Sequence, residues 1–375
     1  MNNTSSEKII YLESLRGIAA ICVVLFHARH YDSFLKNSKF IENSGLMVDF
    51  FFVLSGFVIA LSYFDKLSSF KELFNFQIKR FLRLYPLHFL MLLVFTFISL
   101  LKAYAAYKYG LISNGLGPAS NNLNAFIHNL FLTHSFFVND LTFNGQSWSI
   151  STEFYTYFIF GFTLVVFRRN LYVLFTVLAI STIIAAFGVY SIHDSSYLVI
   201  DSVTNGLGGI SRCIYSFFIG SLIFFITKYN NFIIMNIFQY ISLFICIAFM
   251  SSYLYMEYLI APILFGLLIF TLVNSKHSVL KIFLSNKLLV YLGTISYGIY
   301  MIHTLVWWLI NRVLIQILGF SESTCGEVLK ACYETGPLIG NLSVAAGLFI
   351  TYYLSKLSYK LIEMPANAYR NKLTI

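Results

Sequence analysis

The chain has 375 residues, of which 58% are apolar, 18% aromatic and 11% charged, with a formal net charge of +9. A soluble domain carries roughly 25% Asp, Glu, Lys and Arg, so this composition excludes an ordinary soluble globule, a disordered chain and a small secreted disulfide scaffold. The basic balance does not argue for nucleic acid, because positive charge in a membrane protein chiefly records orientation.

From the N-terminus, the first apolar stretch begins near Leu15, holds Arg16 and lacks a small-residue cleavage site, so it reads as a retained span and not a signal peptide. Apolar segments follow at 46–64, 84–101, 148–167, 171–190, 211–227, 232–256, 258–273, 290–315 and 338–360. Most approach the ~20 residues that cross a bilayer. The stretch 125–138 is shorter, contains His128 and His134, and reads as re-entrant or interfacial. The expected fold is all-α: a polytopic transmembrane helical bundle of about ten spans, a single membrane domain over 1–375 with no appended soluble domain. If 125–138 does not cross, both termini share one side. That side then holds most of the 25 basic residues, among them Lys79, Arg80, Arg83, Arg168, Arg169 and the C-terminal tail. The positive-inside rule makes it cytoplasmic.

Cys22, Cys213 and Cys246 fall in apolar segments and read as packing residues. Cys325 and Cys332 fall in the polar loop 316–337, where a disulfide and two free thiols are equally open. No CxxC pair, HExxH, Walker-type loop or GxGxxG is present, so neither a metal nor a nucleotide-fold cofactor is expected. No internal repeat stands out, which removes one signature of secondary transporters.

Charged groups inside apolar spans are costly and therefore mark candidate sites. In the first span, Arg16 and His27 are eleven residues apart, which on a helix puts them on one face and ~16 Å apart along the axis. In isolation, a snorkelling Arg and a hydrogen-bonded core His are the better explanation of the two. The second span starts at Gly45-Leu-Met-Val-Asp49, where Asp49 either orients an imidazole or caps the helix start. Ser55-Gly56 beyond it allows close helix approach. The third opens with Lys79-Arg80-Phe-Leu-Arg83-Leu-Tyr-Pro86, and its two guanidiniums, three residues apart, suit bidentate phosphate binding or a simple basic anchor. The fourth begins Ser147-Trp148-Ser149-Ile-Ser151-Thr-Glu153, with Ser149 and Glu153 on one face and the carboxylate ~8 Å below Trp148. Glu153 and His27 arrive at similar depth, as a general acid/base pair would need. The ninth carries Ser296, Tyr300 and His303 on one stripe, beside Tyr297. A His satisfied by a neighbouring helix explains His303 as well as catalysis does.

Taken together, these pieces resemble the acyltransferase family three of integral membrane proteins. The matching segments are Arg16-x10-His27, 45–59 (GLMVDFFFVLSGFVI), Arg80-x2-Arg83 with the following Leu-Tyr-Pro, 147–155 (SWSISTEFY), 295–303 (ISYGIYMIH) and Glu363-Met-Pro365, in the family's order across nearly the whole chain. The resemblance implies transfer of an acyl group, usually acetyl, from cytoplasmic acyl-coenzyme A to a hydroxyl of an extracytoplasmic glycan. It implies no permanently bound cofactor, acyl-coenzyme A serving as co-substrate. It makes His27 the essential histidine, and the reading of the residues themselves adds Glu153 and Asp49 as catalytic candidates that orient or charge-compensate its imidazole. Arg16, Arg80 and Arg83 fall on the donor side, and Trp148, Ser149, Tyr297, Tyr300 and His303 support the acceptor side. The expected setting is the bacterial inner membrane, with membrane lipids around the bundle and room for a separate extracytoplasmic partner protein. A transporter of a small or lipid-linked solute and a structural subunit are the competing classes; acceptor-dependent release of coenzyme A separates the enzyme from both.

Overall fold

The computed structural model describes the chain apart from residues 1–3, 29, 110–119, 139, 168–169, 195–205, 231, 254–255, 326–329, 371 and 373–375, and apart from the side chains of 4–9, 191–194, 207, 322–325 and 330–332. The described residues are overwhelmingly helical. Nine helical segments among them are long and apolar enough to cross a membrane. Exposed Leu100, Phe187, Phe244 and Phe349 stud their outer faces. In water such surfaces would drive aggregation, but for a bilayer they are the solvated face.

The chain divides into two compact units, one of residues 1–51 and 227–359, the other of 52–226 and 360–375. The first unit holds α1 (Thr4–His27), the short α2 (Lys39–Glu42) and the first turn of α3 (Met47–Tyr63). The second takes the rest of α3 with α4 (Phe70–Tyr109), α5 (Leu123–Leu130), α6 (His134–Phe137), α7 (Trp148–Phe167), α8 (Leu171–Asp194) and most of α9 (Gly206–Tyr229). The first unit resumes with α10 (Ile237–Met250), α11 (Glu257–Asn274), α12 (Val279–Leu284), α13 (Lys287–Thr294), α14 (Ser296–Arg312) and α15 (Gly336–Ser358). After a π turn at Tyr359–Glu363, α16 (Met364–Arg370) belongs to the second unit.

Several boundaries differ from the apolar runs for local reasons. Helix α4 is 40 residues long, ~60 Å, because a polar first half precedes the apolar span expected at 84–101. It starts at a capping box: Ser69 Oγ accepts from Glu72 N–H at 3.3 Å while a Glu72 oxygen accepts from Ser69 N–H at 3.0 Å. The expected span 232–256 contains a helix of only 14 residues, α10. Its flanks are Asn- and Ser-rich, and Met256 adopts φ 53 before α11 begins. The 290–315 run is broken at Ile295 into α13 and α14. The stretch 125–138 forms the two short helices α5 and α6, separated by Leu132 at φ 57, and is not a continuous span. One departure from pure helix lies in the polar loop, where β1 (Glu322–Cys325) pairs antiparallel with β2 (Lys330–Tyr333), Glu322 opposite Tyr333. The Cys325 and Cys332 side chains lie outside the described residues, whereas Cys22, Cys213 and Cys246 are buried free thiols.

In the first unit, α1 packs along α13 and α14, with Ala20, Val24, Ile295, Ile299 and Trp307 in its core. A Cβ on Gly17 would lie 2.6 Å from Gly293 N, so the backbones touch where neither residue has a side chain. In the second unit, fully buried Phe57, Phe76, Phe160, Phe217 and Phe225 form the centre. Gly56 there lets α3 cross α9 closely, for a Cβ on it would meet Phe217 O at 1.8 Å.

Candidate active site

The first unit brings two imidazoles together. His27, in the last turn of α1, donates Nδ1–H to Val23 O at 2.9 Å. A carbonyl only accepts, so the neutral ring keeps its basic lone pair on Nε2. His303 on α14 is fully buried and makes the same bond to Ile299 O at 3.2 Å, and its Nε2 has no hydrogen-bond partner. The ring centroids stand 4.8 Å apart at 58°. Gly17 meets Gly293 and, ten residues further along each helix, His27 meets His303, so α13–α14 runs beside α1 in the same direction. The pair is fixed by Trp307, whose Nε1–H reaches back to Val24 O at 3.2 Å. Aromatic walls surround it: Phe26 lies 4.9 Å from His27, Tyr300 5.9 Å from His303, and Phe51 6.1 Å from Tyr300.

The remaining expected residues of this unit are Asp49, Tyr297 and Arg16. Asp49 is completely buried in the first turn of α3, where the helix dipole favours a carboxylate. Tyr297 is buried on α14. Arg16 pairs with Glu13 one turn earlier at 3.5 Å and is half-buried, so part of the first-span charge is compensated locally.

The second unit holds the carboxylate and the arginine pair. Glu153 on α7 accepts from Ser55 Oγ–H at 2.5 Å and from the Tyr157 hydroxyl at 2.6 Å, both onto one oxygen. Arg80 on α4 is buried among three rings, its guanidinium 5.2, 5.7 and 5.8 Å from the centroids of Tyr63, Phe76 and Tyr157, and it donates to Tyr63 OH at 2.9 Å. Tyr157 thus touches both Glu153 and Arg80. Gln77 ties α4 to α7 through Phe154 O at 2.9 Å. Arg83, one turn beyond Arg80, is half-buried. Trp148 is buried under the Arg212 guanidinium, 5.2 Å from its ring. Ser149 Oγ caps back to Gln146 O at 3.3 Å. Beside them His134 stacks on His88, centroids 5.7 Å apart, and meets Ser147 Oγ at 3.2 Å.

His27 is thus found with His303, and Glu153 with Ser55 and Tyr157. Sequence reasoning missed Tyr157, Arg212 and the His88–His134 pair. Two signals were available: Tyr157 lies four residues after Glu153 on the same helix face, and Arg212 is a lone charge entering an apolar span. Among the described residues no three His, Cys, Asp or Glu side chains gather as metal ligands.

Long apolar helical spans, with buried polar and titratable side chains within each of the two units, define a multi-pass membrane protein. The acyltransferase-domain family matches residues 9–357, and the chain belongs to that family. Peptidoglycan O-acetyltransferase OatA of Listeria monocytogenes is 26% identical over 97% of this chain and 57% of its own length. Protein 2 in the picA locus of Rhizobium radiobacter is 41% identical over 24% of this chain and 46% of its own. The chain therefore spans about half the length of the curated relatives it matches. No solved structure matches it.

Proposed function

We propose that the protein moves an acyl group, acetyl in the first instance, from cytoplasmic acyl-coenzyme A to a hydroxyl of an extracytoplasmic glycan such as O-antigen, capsule or exopolysaccharide. Peptidoglycan, the acceptor in the name of the Listeria relative, is the other glycan to test. The protein sits in the cytoplasmic membrane with both termini inside. The observation that carries this reading is the His27–His303 pair, which presents a basic Nε2 on His27 within an aromatic enclosure. His27 Nε2 takes the proton of the acceptor hydroxyl while its oxygen attacks the thioester carbonyl. The carbon–sulfur bond then breaks, and the leaving thiolate recovers the proton from His27. His303 sets the position of the His27 ring. Arg16, Arg80 and Arg83 recognise the donor's phosphates, which guanidiniums bind through parallel N–H groups. Asp49 supplies the negative charge that a transient imidazolium requires, and Tyr297 and Tyr300 shape the acceptor side of the histidine pair; in the other unit, Glu153, Trp148 and Ser149 serve the acceptor.

The test uses purified, reconstituted protein, labelled acetyl-coenzyme A and native cell-envelope glycans. Label should enter glycan with the wild type and not with His27→Ala. A His27→Ala protein that transfers at the normal rate would sink the proposal.

A further inference from the structure

The arginine pair of α4 has a third member that lies far away in sequence. Helix α16 packs on α4, within the same unit. Its Arg370 is partly buried, and its guanidinium lies within electrostatic reach of both Arg83 and Arg80 and of the Tyr63 hydroxyl. Neither Arg83 nor Arg370 makes a hydrogen bond or an ion pair among the described residues. Arg80 spends one nitrogen on Tyr63, while its Nε is buried and has no partner. One carboxylate stands in the group: Glu363, which is buried, feels the Arg83 charge and keeps one oxygen unpartnered.

Three guanidiniums, with the Lys66 ammonium over the same Tyr63 ring at 5.6 Å, outnumber the one carboxylate and leave the group net positive. Like charges gathered in a partly buried place repel strongly, and an anion brought among them is held correspondingly well. Two of the arginines keep their N–H donors uncommitted, so the group is charged and donor-rich without an acceptor of its own. A phosphomonoester, with about −1.5 to −2 charge at neutral pH and three acceptor oxygens, matches it in both charge and donor number.

We infer that Arg80, Arg83 and Arg370, balanced by Glu363, form a binding site for a phosphate dianion. Such a group can come from the 3′-phosphate of coenzyme A or from the phosphomonoester headgroup of a lipid. The first source rests on the donor assigned under the proposed function and deepens it: the site would read the terminal phosphate of the donor, not its thioester end. Arg370 is then a recognition residue of the closing segment, and Glu363 limits the charge so that the site does not hold its anion too tightly.

The experiment measures binding of coenzyme A and of dephospho-coenzyme A, which lacks only the 3′-phosphate, to the full chain in neutral-lipid nanodiscs by calorimetry. The wild type should prefer coenzyme A, and Arg370→Gln should weaken coenzyme A by about tenfold or more, as loss of a charged hydrogen bond does, while leaving dephospho-coenzyme A within about twofold. Arg370→Lys should recover part of the loss, and melting temperatures of both variants establish that they are folded. A parallel arm titrates phosphatidic acid into the nanodiscs. Binding of phosphatidic acid that Arg370→Gln abolishes, with no preference for the 3′-phosphate, would keep the site and give it to a lipid. If the wild type binds coenzyme A and Arg370→Gln changes neither ligand, or weakens both equally, the phosphate site is overturned and the donor assignment stands. If the wild type binds no coenzyme A, the donor assignment itself fails.

Discussion

The two hydroxyl donors on Glu153 make a sharp test at the scale of single residues. Tyr157→Phe removes one of them without changing the ring that packs against Arg80. Loss of one hydrogen bond to a charged group costs about 1.5–3 kcal/mol, so acyl transfer should fall by about tenfold or more while the protein remains folded. Ser55→Ala should act alike, and the double variant should lose less than the two effects added, since both donors serve one oxygen. Full additivity in steady-state rates would mean that the hydroxyls act separately. A second residue-scale test concerns His134. Burial pushes its imidazole down to about 3, with the neighbouring His88 adding a smaller push. The unfolded ring takes a proton below its ordinary value of about 6.5 whereas the folded one stays neutral, so unfolding becomes more favourable as pH falls from about 6.5 towards 3. The contribution is at most about 1.4 kcal/mol per pH unit in that window. The melting temperature should therefore drop between pH 7 and pH 5, and His134→Gln should flatten that drop; an unchanged slope would show that other groups set it. Residues of this kind divide by legibility. His27, Asp49 and Glu153 were visible because a titratable group in an apolar run is conspicuous. Tyr157, Tyr63 and Arg370 were not, because a tyrosine in a chain with 26 of them and an arginine in a basic tail carry no signal until the fold sets them around Arg80.

At the scale of elements, the apolar runs located the spans and the backbone decided their ends. Trp148–Phe167 coincides with its run because Gly145–Ser147 forms a tight turn before it and the apolar sequence stops at Phe167. Helix α4 outran its hydropathy because a capping box at Ser69 and Glu72 starts it in a polar stretch. The β1–β2 hairpin was invisible because four-residue strands in a polar loop show no period. The Ser55-Gly56 pair, by contrast, was read as a close-approach site, and the α3–α9 crossing has that form on both sides: a Cβ on Gly220 would meet Val53 O at 1.8 Å. Backbone cannot yield as a flexible side chain does, so Gly56→Ala or Gly220→Ala should cost at least about 2 kcal/mol. The measurement is thermal unfolding of the detergent-solubilised protein. A melting temperature equal to wild type would mean that the two helices separate freely, contrary to the packing seen.

At the scale of the whole molecule, the number of membrane crossings turns on one short helix. Helix α10, at 14 residues, is ~21 Å long and falls short of the ~30 Å hydrocarbon layer by itself. Its neighbours resolve the question. Ile234 pairs with Ser275, Asn236 donates to His277 O at 2.9 Å, and Gln239 Oε1 accepts from Ser278 Oγ at 3.1 Å. The start of α10 therefore lies beside the end of α11, and at its far end Asn43 holds Met250 O at 2.9 Å. If α11 crosses the bilayer, an antiparallel partner tied to it in this way must carry the chain across as well. The parallel course of α1 and α14 imposes a second condition, because two helices that cross in the same direction are separated by an odd number of crossings. With α3, α4, α7, α8, α9, α10 and α11 between them, that condition is met only if the stretch 125–138 does not cross. Ten crossings would return the C-terminus to the side of the N-terminus, as the proposed topology with both termini in the cytoplasm requires. Single cysteines in a cysteine-free background check this directly. A cysteine at Tyr253, on the exposed turn between α10 and α11, should react with an impermeant maleimide added outside. Cysteines at Lys228 and Lys276 should react only after the membrane is opened. Labelling of all three from one side would leave α10 and α11 lying in the interface and would remove the even count on which the shared side of the termini depends.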